Sequence, residues 1–470
     1  MATSVCGVAR PDLSEAFPDE AHAQHGGFWS LHPAFAKFFD VTLAVSDATG
    51  RWWQAPSPEA VSQIHGIVAT EVEGAEAAAW EAGLNAARIP LQGDVAGVWR
   101  RMMDTTRPLT LRLDIINKCN LRCVMCHYSD DAIFRRPARR VALEDFDRWF
   151  DSVQAGVREV VLSCGDEPLM SPQFTEIVRA ITDRRPEINV MFSTNAMLMD
   201  ERIARAIVES GVALVMMSLD GVQPETLEAV RKGARFERVV GNAHRLAEMK
   251  RRVRSERPRL VYNFVMMNRN VAEAPAFVEL AGALGANYLD FRHVVTSEYF
   301  SDAAELCENR PGRSNFYRRL TLEAAARAGL PIYIPPAFPV PEEAEAAPDA
   351  AELLAPFRAL LDNLAATEAD VSGLQPKSGM IEYGPRLGDL PPVFCERPFS
   401  EIMIRNQDEV LPCAWHQNVL GNLSSGLSVG EIFFGPRFDA VRANMLRPEG
   451  DPGCVGCPIK SSHLPTTRHG

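Results

Sequence analysis

Short apolar segments recur along the middle of the chain, and each is followed by a segment with helical periodicity. The apolar segments are alternating or continuous, as the strands of a half-buried or buried sheet are. They predict strands at residues 111–116, 159–163, 189–193, 213–219, 260–266 and 288–294. The segments between them predict helices at residues 143–154, 172–184, 201–209, 225–229, 239–250 and 274–283. This alternation predicts an α/β fold with a parallel sheet and right-handed crossovers over residues 106–330.

The regions on either side of this alternation have different patterns. Residues 1–105 carry clustered aromatic residues and an Ala/Glu-rich stretch at 71–88 that predicts a helix, so we expect a small N-terminal domain whose role the sequence does not reveal. Residues 331–392 are rich in proline and alanine, with one predicted helix at 350–366, which is typical of a connection or insertion. Residues 393–470 combine a predicted strand at 400–405 and a predicted helix at 429–445 with four cysteines.

Composition narrows the class of protein and its partners. The chain has 470 residues, 46% of them hydrophobic, and a net charge of -12, which is the profile of a globular protein of two or three domains. An acidic chain has no general attraction to phosphate backbones, so we expect no nucleic-acid partner. The sequence offers neither the roughly 20 apolar residues of a membrane helix nor a signal-peptide pattern. We therefore expect no membrane partner and a reducing, cytoplasmic location.

The strongest chemical signal is the run Cys119, Cys123 and Cys126, spaced C-x3-C-x2-C directly after the first predicted strand. Three thiolates at this spacing can converge on one soft metal centre. A structural zinc site closes with four ligands, whereas a 4Fe-4S cluster held by three thiolates keeps one iron open. The loop after a strand is also where α/β barrels keep their active sites. The pattern favours such a cluster over a zinc knuckle or three unrelated thiols.

At these residues the chain resembles the radical S-adenosylmethionine (radical SAM) superfamily. Ser-Cys-Gly-Asp-Glu-Pro at 163–168 is similar to the family's Gly-Gly-Glu-Pro motif, with Cys164 and Asp166 flanking the single Gly165. Ser-Thr-Asn-Ala at 193–196 is similar to its Thr-Asn-Gly turn, and Ser-Leu-Asp-Gly at 218–221 resembles its Ser-Ile-Asp-Gly segment. The resemblance implies a partial (β/α)6 barrel that binds S-adenosylmethionine (SAM) on the open iron.

The resemblance also implies a set of cofactor-binding residues. Glu167 is expected to receive the methionyl ammonium, Asn263 to reach the ribose, and Leu289 to meet the adenine. Asp220 is expected to bond to sugar hydroxyls or to the substrate. Plain strand packing is the alternative for Asn263 and Leu289. The full predicted set is Gly165, Glu167, Asn195, Ser218, Asp220, Asn263 and Leu289.

Further side chains near the predicted barrel mouth are candidates for contact with a substrate. Cys164 is the candidate catalytic thiol, because a thiol beside the cofactor could return a hydrogen atom to a substrate radical. Packing is the favoured alternative for Cys164, and Cys307 is a second possible donor. Asp290, Arg292 and His293 end the last predicted strand, where they would bind a polar substrate or form a salt bridge at the rim.

A second set of thiols, Cys395, Cys413, Cys454 and Cys457, lies near the C-terminus. Four thiolates from a hairpin and a terminal C-x2-C can enclose either zinc or a cluster. The layout is similar to the SPASM and shortened twitch extensions of radical SAM enzymes, which hold auxiliary 4Fe-4S clusters. This chain supplies fewer cysteines than the full SPASM pattern, so the resemblance implies one auxiliary cluster in a twitch-like region and two clusters in all.

The activity that the resemblance implies is abstraction of a hydrogen atom by a 5′-deoxyadenosyl radical. We expect a small polar metabolite as substrate (a sugar, aminocyclitol or amino-acid derivative), with dehydrogenation favoured over epimerisation and flavodoxin or ferredoxin as reductant. The alternative is a maturase for a ribosomally made peptide, in which residues 1–105 would bind a leader. A third hypothesis is a non-catalytic iron–sulfur or zinc protein, against which the intact SAM-site segments argue.

Overall fold

The structure is a computed structural model that describes residues 45–46, 52–53, 109–154, 156–163, 165–364, 369–379, 397–405, 408–445, 450–454 and 457. The chain divides into two compact units, one of Thr110–Pro385 with Ile404–Asp408 and one of the remaining residues. Cys164, Cys395 and the predicted helix at 71–88 lie outside the described residues. Within residues 1–105, the structure describes two short segments, Val45–Ser46 and Trp52–Trp53, which pair in antiparallel fashion.

A sheet of consecutive strands forms the centre of the first unit. Its strands lie in the order β7-β6-β5-β4-β3-β2-β1, and β2 to β7 pair in parallel. They are β1 (Leu109–Leu113), β2 (Val157–Val161), β3 (Asn189–Thr194), β4 (Leu214–Ser218), β5 (Arg259–Met266), β6 (Tyr288–His293) and β7 (Ile332–Tyr333). This arrangement confirms the predicted α/β fold, because six strand–helix units follow one another in chain order as in a partial (β/α)6 barrel.

Helices connect the strands of this unit. They are α1 (Asp131–Arg135), α2 (Leu143–Asp151), α3 (Phe174–Thr182), α4 (Glu201–Ser210), α5 (Pro224–Val230), α6 (Phe236–Arg252), α7 (Ala274–Ala283), α8 (Pro311–Ala328), α9 (Ala350–Leu353) and α10 (Ala355–Leu364). Their limits follow local chemistry. The Asp200 carboxylate caps α4 by accepting from the Ile203 amide at 2.8 Å. Gly211, with φ of 73°, ends that helix in the left-handed conformation.

The register of β5 and β6 shows which side chains face the helix layer. Leu289 pairs with Tyr262, and Phe291 pairs with Phe264. The rings of Phe264 and Phe291 lie 4.9 and 5.6 Å from Phe277 of α7. Side chains alternate along a strand, so this face carries the helices. The opposite face carries Ser218, Asn263 and Asp290, which lie side by side on β4, β5 and β6, with Ser218 as the last residue of β4.

The second unit includes the described C-terminal residues. Its elements are α11 (Arg397–Ser400), β8 (Glu401–Ile404, whose last residue falls in the first unit), β9 (Glu409–Leu411), β10 (Gly421–Asn422), α12 (Val429–Phe433) and α13 (Pro436–Met445). Strands β9 and β10 are antiparallel. The predicted helix at 429–445 is two helices, because Pro436 has no amide hydrogen and Gly435 packs so closely that an added Cβ would lie 2.7 Å from the Glu431 carbonyl oxygen.

Two further parts of the fold differ from the sequence-based prediction. The predicted helix at 350–366 is interrupted at Leu354, and the connection begins with β7, which extends the sheet. Helix α8 was not predicted, because its buried face is made largely of small and polar residues such as Ser314, Asn315 and Thr321. In the described part of the chain, no helix combines the length and apolar character that spanning a bilayer would require.

Candidate active site

The three cysteines of the triplet lie on the loop that follows β1. This loop is fixed at Arg122–Cys123, which pairs in antiparallel fashion with Arg231–Lys232, so that Cys123 is opposite Arg231. The Cys126 amide donates to the Cys123 carbonyl at 3.1 Å, and the Leu121 amide donates to Cys119 Sγ at 3.4 Å. The backbone therefore holds the three thiols in a folded loop with limited exposure to solvent.

The thiol donors fit a multi-iron cluster better than a single ion. Burial raises the pKa of Cys119 to about 12 and that of Cys123 to about 11. A bound cationic centre would reverse this shift, because thiolates are the form that binds metal. Zn–S bonds of about 2.3 Å would place sulfur ligands of one zinc roughly 3.8 Å apart. Among the described residues, the three sulfur atoms of the triplet do not all lie within 4.8 Å of one another.

The turn after β2 presents Glu167, which is buried. Its carboxylate accepts hydrogen bonds from Thr194 Oγ1 at 2.7 Å, from the Asn195 amide at 2.8 Å and from the Leu169 amide at 3.3 Å. Burial raises the pKa of Glu167 to about 7, partly offset by these donors. One carboxylate thus joins the turns after β2 and β3.

Both of these turns contact the cysteine loop. The Asn195 side-chain nitrogen donates to Asn120 Oδ1 at 2.9 Å and lies 3.8 Å from Cys119 Sγ. At Gly165, an added Cβ would lie 3.3 Å from the His127 ring. The structure therefore brings Gly165, Glu167 and Asn195 together with the triplet.

Ala196 occupies the position of the glycine in the Thr-Asn-Gly turn that residues 193–196 resemble. Its φ of 59° is in the left-handed region, which favours glycine. The Ala196 amide donates to Thr194 Oγ1 at 3.0 Å, so the turn keeps its shape with a residue that is less suited to this conformation.

Asp220 is paired with an arginine. It is fully buried, its Oδ2 lies 2.7 Å from Arg231 Nη2, and its Oδ1 accepts from the Val265 amide at 2.7 Å. Both carboxylate oxygens of Asp220 thus contact protein groups, and its expected contact with sugar hydroxyls or with the substrate stays a prediction. Arg231, which the sequence reasoning did not select, extends toward the cysteines, with Nη1 3.7 Å from Cys123 Sγ.

The remaining predicted cofactor contacts separate into two faces of the sheet. Ser218 and Asn263 are neighbours on the face opposite the helices, and the Asn263 side-chain nitrogen donates to the Asp290 carbonyl at 2.9 Å. Leu289 is fully buried on the helix-facing side. The structure thus does not place the Leu289 side chain with the other predicted residues, because it occupies the alternate position of β6.

The ends of the last strands carry the side chains that were candidates for substrate contact. Arg292 Nε lies 2.7 Å from Asp290 Oδ1, and the Arg292 guanidinium lies 4.4 Å from the centre of the Tyr333 ring. His293 stacks on Phe338 at 5.1 Å, and burial lowers the pKa of His293 to about 4. These groups form an ion pair and an aromatic stack, and Arg292 remains partly exposed.

A polar cluster beside the triplet was also missed. Asp166 accepts hydrogen bonds from the Tyr128 hydroxyl and, at 3.1 Å, from Arg136 Nη2. Arg136 Nε in turn donates to the Asn117 carbonyl at 3.0 Å, next to the cysteine loop. The sequence offers one signal for this cluster: Asp166 stands where the Gly-Gly-Glu-Pro motif has a glycine. A charged side chain at such a turn needs hydrogen-bond partners.

The second unit brings its own cysteine segments together. His416, three residues after Cys413, lies with Nε2 3.0 Å from Asp451 Oδ1, and the Gln417 amide donates to the Gly453 carbonyl at 2.9 Å. Cys454 follows directly, and the Cys457 amide donates to its carbonyl at 3.4 Å. These contacts join the Cys413 segment to the terminal C-x2-C, while Cys395 lies outside the described residues.

A possible ligand group in this unit combines His416, Asp451 and Cys454, whose ligand atoms lie within 4.8 Å of one another. Both ring nitrogens of His416 already have partners, Asp451 at 3.0 Å and the Asn418 amide at 3.2 Å. The histidine and aspartate therefore form a hydrogen-bonded brace beside the thiol. Sequence reasoning missed this brace because it considered the cysteines alone.

Comparison with known proteins agrees with this geometry. Residues 113–281 match the model of the Radical SAM superfamily. This segment holds the triplet, the Glu167 and Asn195 turns, and Arg231. It belongs to the radical SAM superfamily, and the α/β sheet with the cysteine loop after its first strand is the fold of that family.

Individual relatives match over the same part of the chain. A probable GTP 3',8-cyclase of Methanocaldococcus jannaschii is 29% identical over 181 residues, which are 38% of this chain and 56% of that protein. The AdoMet-dependent heme synthase of Methanosarcina barkeri is 28% identical over 184 residues, which are 39% of this chain and 49% of that protein. The chain thus spans about half the length of these curated relatives.

A solved structure covers more of the chain. Streptococcus suis SuiB bound to S-adenosylmethionine superposes with a TM-score of 0.50 over 85% of this chain and 80% of that one, at 12% sequence identity. At this identity the likeness concerns the fold alone.

Proposed function

We propose that this protein is a radical SAM enzyme that oxidises a small polar metabolite, such as a sugar, an aminocyclitol or an amino-acid derivative. Cys119, Cys123 and Cys126 would hold a 4Fe-4S cluster with SAM bound beside it. When bound, the two together supply a 5′-deoxyadenosyl radical that takes a hydrogen atom from the substrate. The substrate would then lose one further electron and one proton, so the product has two hydrogen atoms fewer than the substrate.

One observation carries this proposal: two turns from successive strands meet the cysteine loop. Asn195 donates to Asn120 on that loop at 2.9 Å, and the Glu167 amide donates to the Lys118 carbonyl at 2.9 Å. A purely structural metal site needs no neighbouring binding turns. The convergence of three separate loops at one edge of a parallel sheet is typical of a cofactor site.

Glu167 is the proposed partner of the methionyl ammonium. A carboxylate offers about four acceptor positions, and Glu167 uses three of them for Thr194, Asn195 and Leu169. The hydrogen bonds fix the orientation of the carboxylate, and one acceptor position is left for a ligand. Gly165 would support this role by allowing the turn to approach the loop closely.

The proposed substrate region is the face of the sheet opposite the helices. Ser218, Asn263 and Asp290 lie side by side there, and the Arg292 side chain at its edge is 45% exposed. Below them the same face is apolar, with Leu214, Val261 and Tyr288 packed in one cluster. A surface that combines a few polar groups with a cluster of apolar side chains suits a small hydroxylated or charged molecule.

Dehydrogenation is proposed over epimerisation on account of the second cysteine set. Cys395, Cys413, Cys454 and Cys457 would hold a second 4Fe-4S cluster, which when bound supplies an electron acceptor for the oxidation. The brace between His416 and Asp451 supports this, since it joins the Cys413 segment to the terminal cysteines. The proposed domains along the chain are then an N-terminal domain at 1–105, a barrel at 106–330, a connection at 331–392 and a twitch-like domain at 393–470. A flavodoxin or ferredoxin would be the reductant.

The test is anaerobic incubation of the reconstituted enzyme with SAM, a chemical reductant and a panel of sugars, aminocyclitols and amino-acid derivatives. We expect 5′-deoxyadenosine to rise with one class of metabolite, together with a product lighter by two mass units. The variant with Cys126→Ala is the control and should form no 5′-deoxyadenosine. If only a peptide stimulates formation of 5′-deoxyadenosine, the substrate is a ribosomally made precursor peptide and not a small metabolite. Absence of 5′-deoxyadenosine in every case would overturn the proposal.

A further inference from the structure

The guanidinium of Arg231 is buried next to the cysteine loop. Its side chain is 10% exposed, and Nη1 lies 3.7 Å from Cys123 Sγ, within reach of an N–H···S hydrogen bond. Pairing of Arg122–Cys123 with Arg231–Lys232 sets this approach, and the Val124 amide donates to the Val230 carbonyl at 2.9 Å. The backbone therefore fixes a permanent positive charge beside one of the three thiols.

The arginine is held by one carboxylate, which contacts the other terminal nitrogen of the guanidinium. Asp220 Oδ2 lies 2.7 Å from Arg231 Nη2, and Asp220 is fully buried. Arg231 Nε is a buried nitrogen with no hydrogen-bond partner among the described residues. A buried cation is costly unless it is paired, and one carboxylate leaves the rest of the guanidinium available to a further negative group.

We propose that Arg231, oriented by Asp220, is a positioning residue that raises the reduction potential of the cluster held by Cys119, Cys123 and Cys126. This inference rests on the proposed function, since it requires that cluster. Hydrogen bonds to the sulfur ligands and nearby charge set the potential of iron–sulfur clusters. Reduction adds one negative charge to the cluster, and a cation in a low-dielectric site stabilises that charge strongly. The carboxylate of Asp220 carries the opposite charge, so it acts on the cluster in the opposite sense.

This arrangement predicts opposite effects for the two partners. Arg231→Met removes the cation and the N–H donor, so reduction should become at least tenfold less favourable, a fall of about 59 mV in the one-electron midpoint potential. Asp220→Asn removes the negative charge that is paired with Arg231, so the midpoint potential should rise. Arg231→Lys keeps the charge and should remain closer to the wild type than Arg231→Met. A residue that only stabilised the fold would not give shifts of opposite sign.

The experiment is a redox titration monitored by electron paramagnetic resonance on the full-length reconstituted protein. The reduced signal that changes when SAM is added identifies the cluster of the triplet. Arg313→Met is the matched control, because Arg313 is also largely buried and pairs with Glu345 at 2.8 Å. Its midpoint potential should equal that of the wild type. Iron content and thermal unfolding are measured for every variant.

Each outcome decides between the possibilities. If Arg231→Met loses the cluster, Arg231→Lys and the double variant Arg231→Met with Asp220→Asn still test the sign, since removing the oriented pair should lower the potential. Unchanged potentials, or shifts of one sign in both single variants, would overturn the inference. A change in SAM affinity without a change in potential would also overturn it and would make Arg231 a cofactor ligand. A wild type without a SAM-sensitive signal would refute the proposed function itself.

Discussion

Glu167 and Asn195 share a hydrogen bond of 2.8 Å that joins the turns after two neighbouring strands. The donor is the Asn195 backbone amide, and the Asn195 side chain reaches to 3.8 Å from Cys119 Sγ. The proposed ammonium-binding carboxylate and the proposed cluster ligand are thus separated by a single residue. We therefore expect a substitution at Glu167 to weaken SAM binding more than it lowers the stability of the fold.

Glu167→Gln should weaken SAM binding and leave the iron content intact. Loss of one charge-assisted contact costs about 1.5–3 kcal/mol, so the dissociation constant should rise by roughly tenfold to a hundredfold. Thr194→Val is the matched control, because it removes a 2.7 Å donor to the same carboxylate without changing the charge. Equilibrium binding of SAM to the reconstituted protein measures both. Equal weakening in the two variants would mean that Glu167 acts only by holding the turn.

The raised pKa of Glu167 predicts a pH dependence of stability. With a folded-state pKa of about 7 against an ordinary value of 4.5, the folded protein binds the extra proton more tightly than the unfolded chain. The stabilisation of the folded state by the protonated Glu167 is therefore fully present below about pH 4.5 and is lost as the pH rises through 7. The free energy of unfolding of the wild type, minus that of Glu167→Gln, should fall by up to about 3 kcal/mol between pH 5 and pH 8. Denaturant unfolding at matched pH values measures this difference, and a flat difference would contradict the burial of the carboxylate.

Iron content should report two separate clusters. The wild type is expected to bind about eight irons, and replacing Cys119, Cys123 and Cys126 together by Ala should leave about four. The reciprocal variant, with Cys413, Cys454 and Cys457 replaced by Ala, should also leave about four and should keep a SAM-sensitive signal. Zinc in the wild type, with no iron left in the first variant, would show that the C-terminal thiols hold a structural ion.

Cys164→Ala separates the two redox outcomes. The favoured packing role predicts that turnover survives the substitution and that the product made in deuterated water carries no solvent deuterium. A hydrogen-donor role predicts a deuterated product from the wild type and an inactive variant, because the thiol hydrogen exchanges with solvent. Mass spectrometry of the product from both proteins decides between dehydrogenation and epimerisation.

Gly453→Ala should loosen the second cysteine site. An added Cβ at this position would lie 2.3 Å from His416 Nε2 and 3.0 Å from Asp451 Oδ1, so the brace between the two segments must shift. We expect the variant to lose most of the iron assigned to the C-terminal cysteines and to retain the triplet cluster. Gly241→Ala is the control, because the nearest side-chain atom would lie at 3.8 Å and alanine favours the α6 helix by roughly 0.8–1 kcal/mol. Full iron in Gly453→Ala would mean that the brace is not needed.

The sequence predicted the strands well because their apolar residues are buried in a parallel sheet and stand out from their surroundings. The resemblance to the radical SAM motifs singled out Gly165, Glu167 and Asn195, and the structure places all three beside the cysteine loop, because the carboxyl ends of adjacent parallel strands lie at the same edge. The sequence could not predict the ion pair of Asp220 with Arg231, since the fold around the two side chains decides that they meet. The face of β6 that Leu289 occupies could not be predicted, because a strand assignment alone does not tell which face a residue occupies. Helix α8 was missed because its small and polar buried face lacks apolar periodicity.

The pairing of Cys123 with Arg231 also has a consequence for the order in which the protein matures. The two residues are 108 positions apart in the chain. Arg231 can therefore contact the cysteine loop only after four strand–helix units have been synthesised and folded. A nascent chain that has just exposed the triplet lacks the buried cation and the Glu167 and Asn195 turns. We therefore expect the complete binding site for the cluster to form only in a largely folded barrel and not on the emerging peptide.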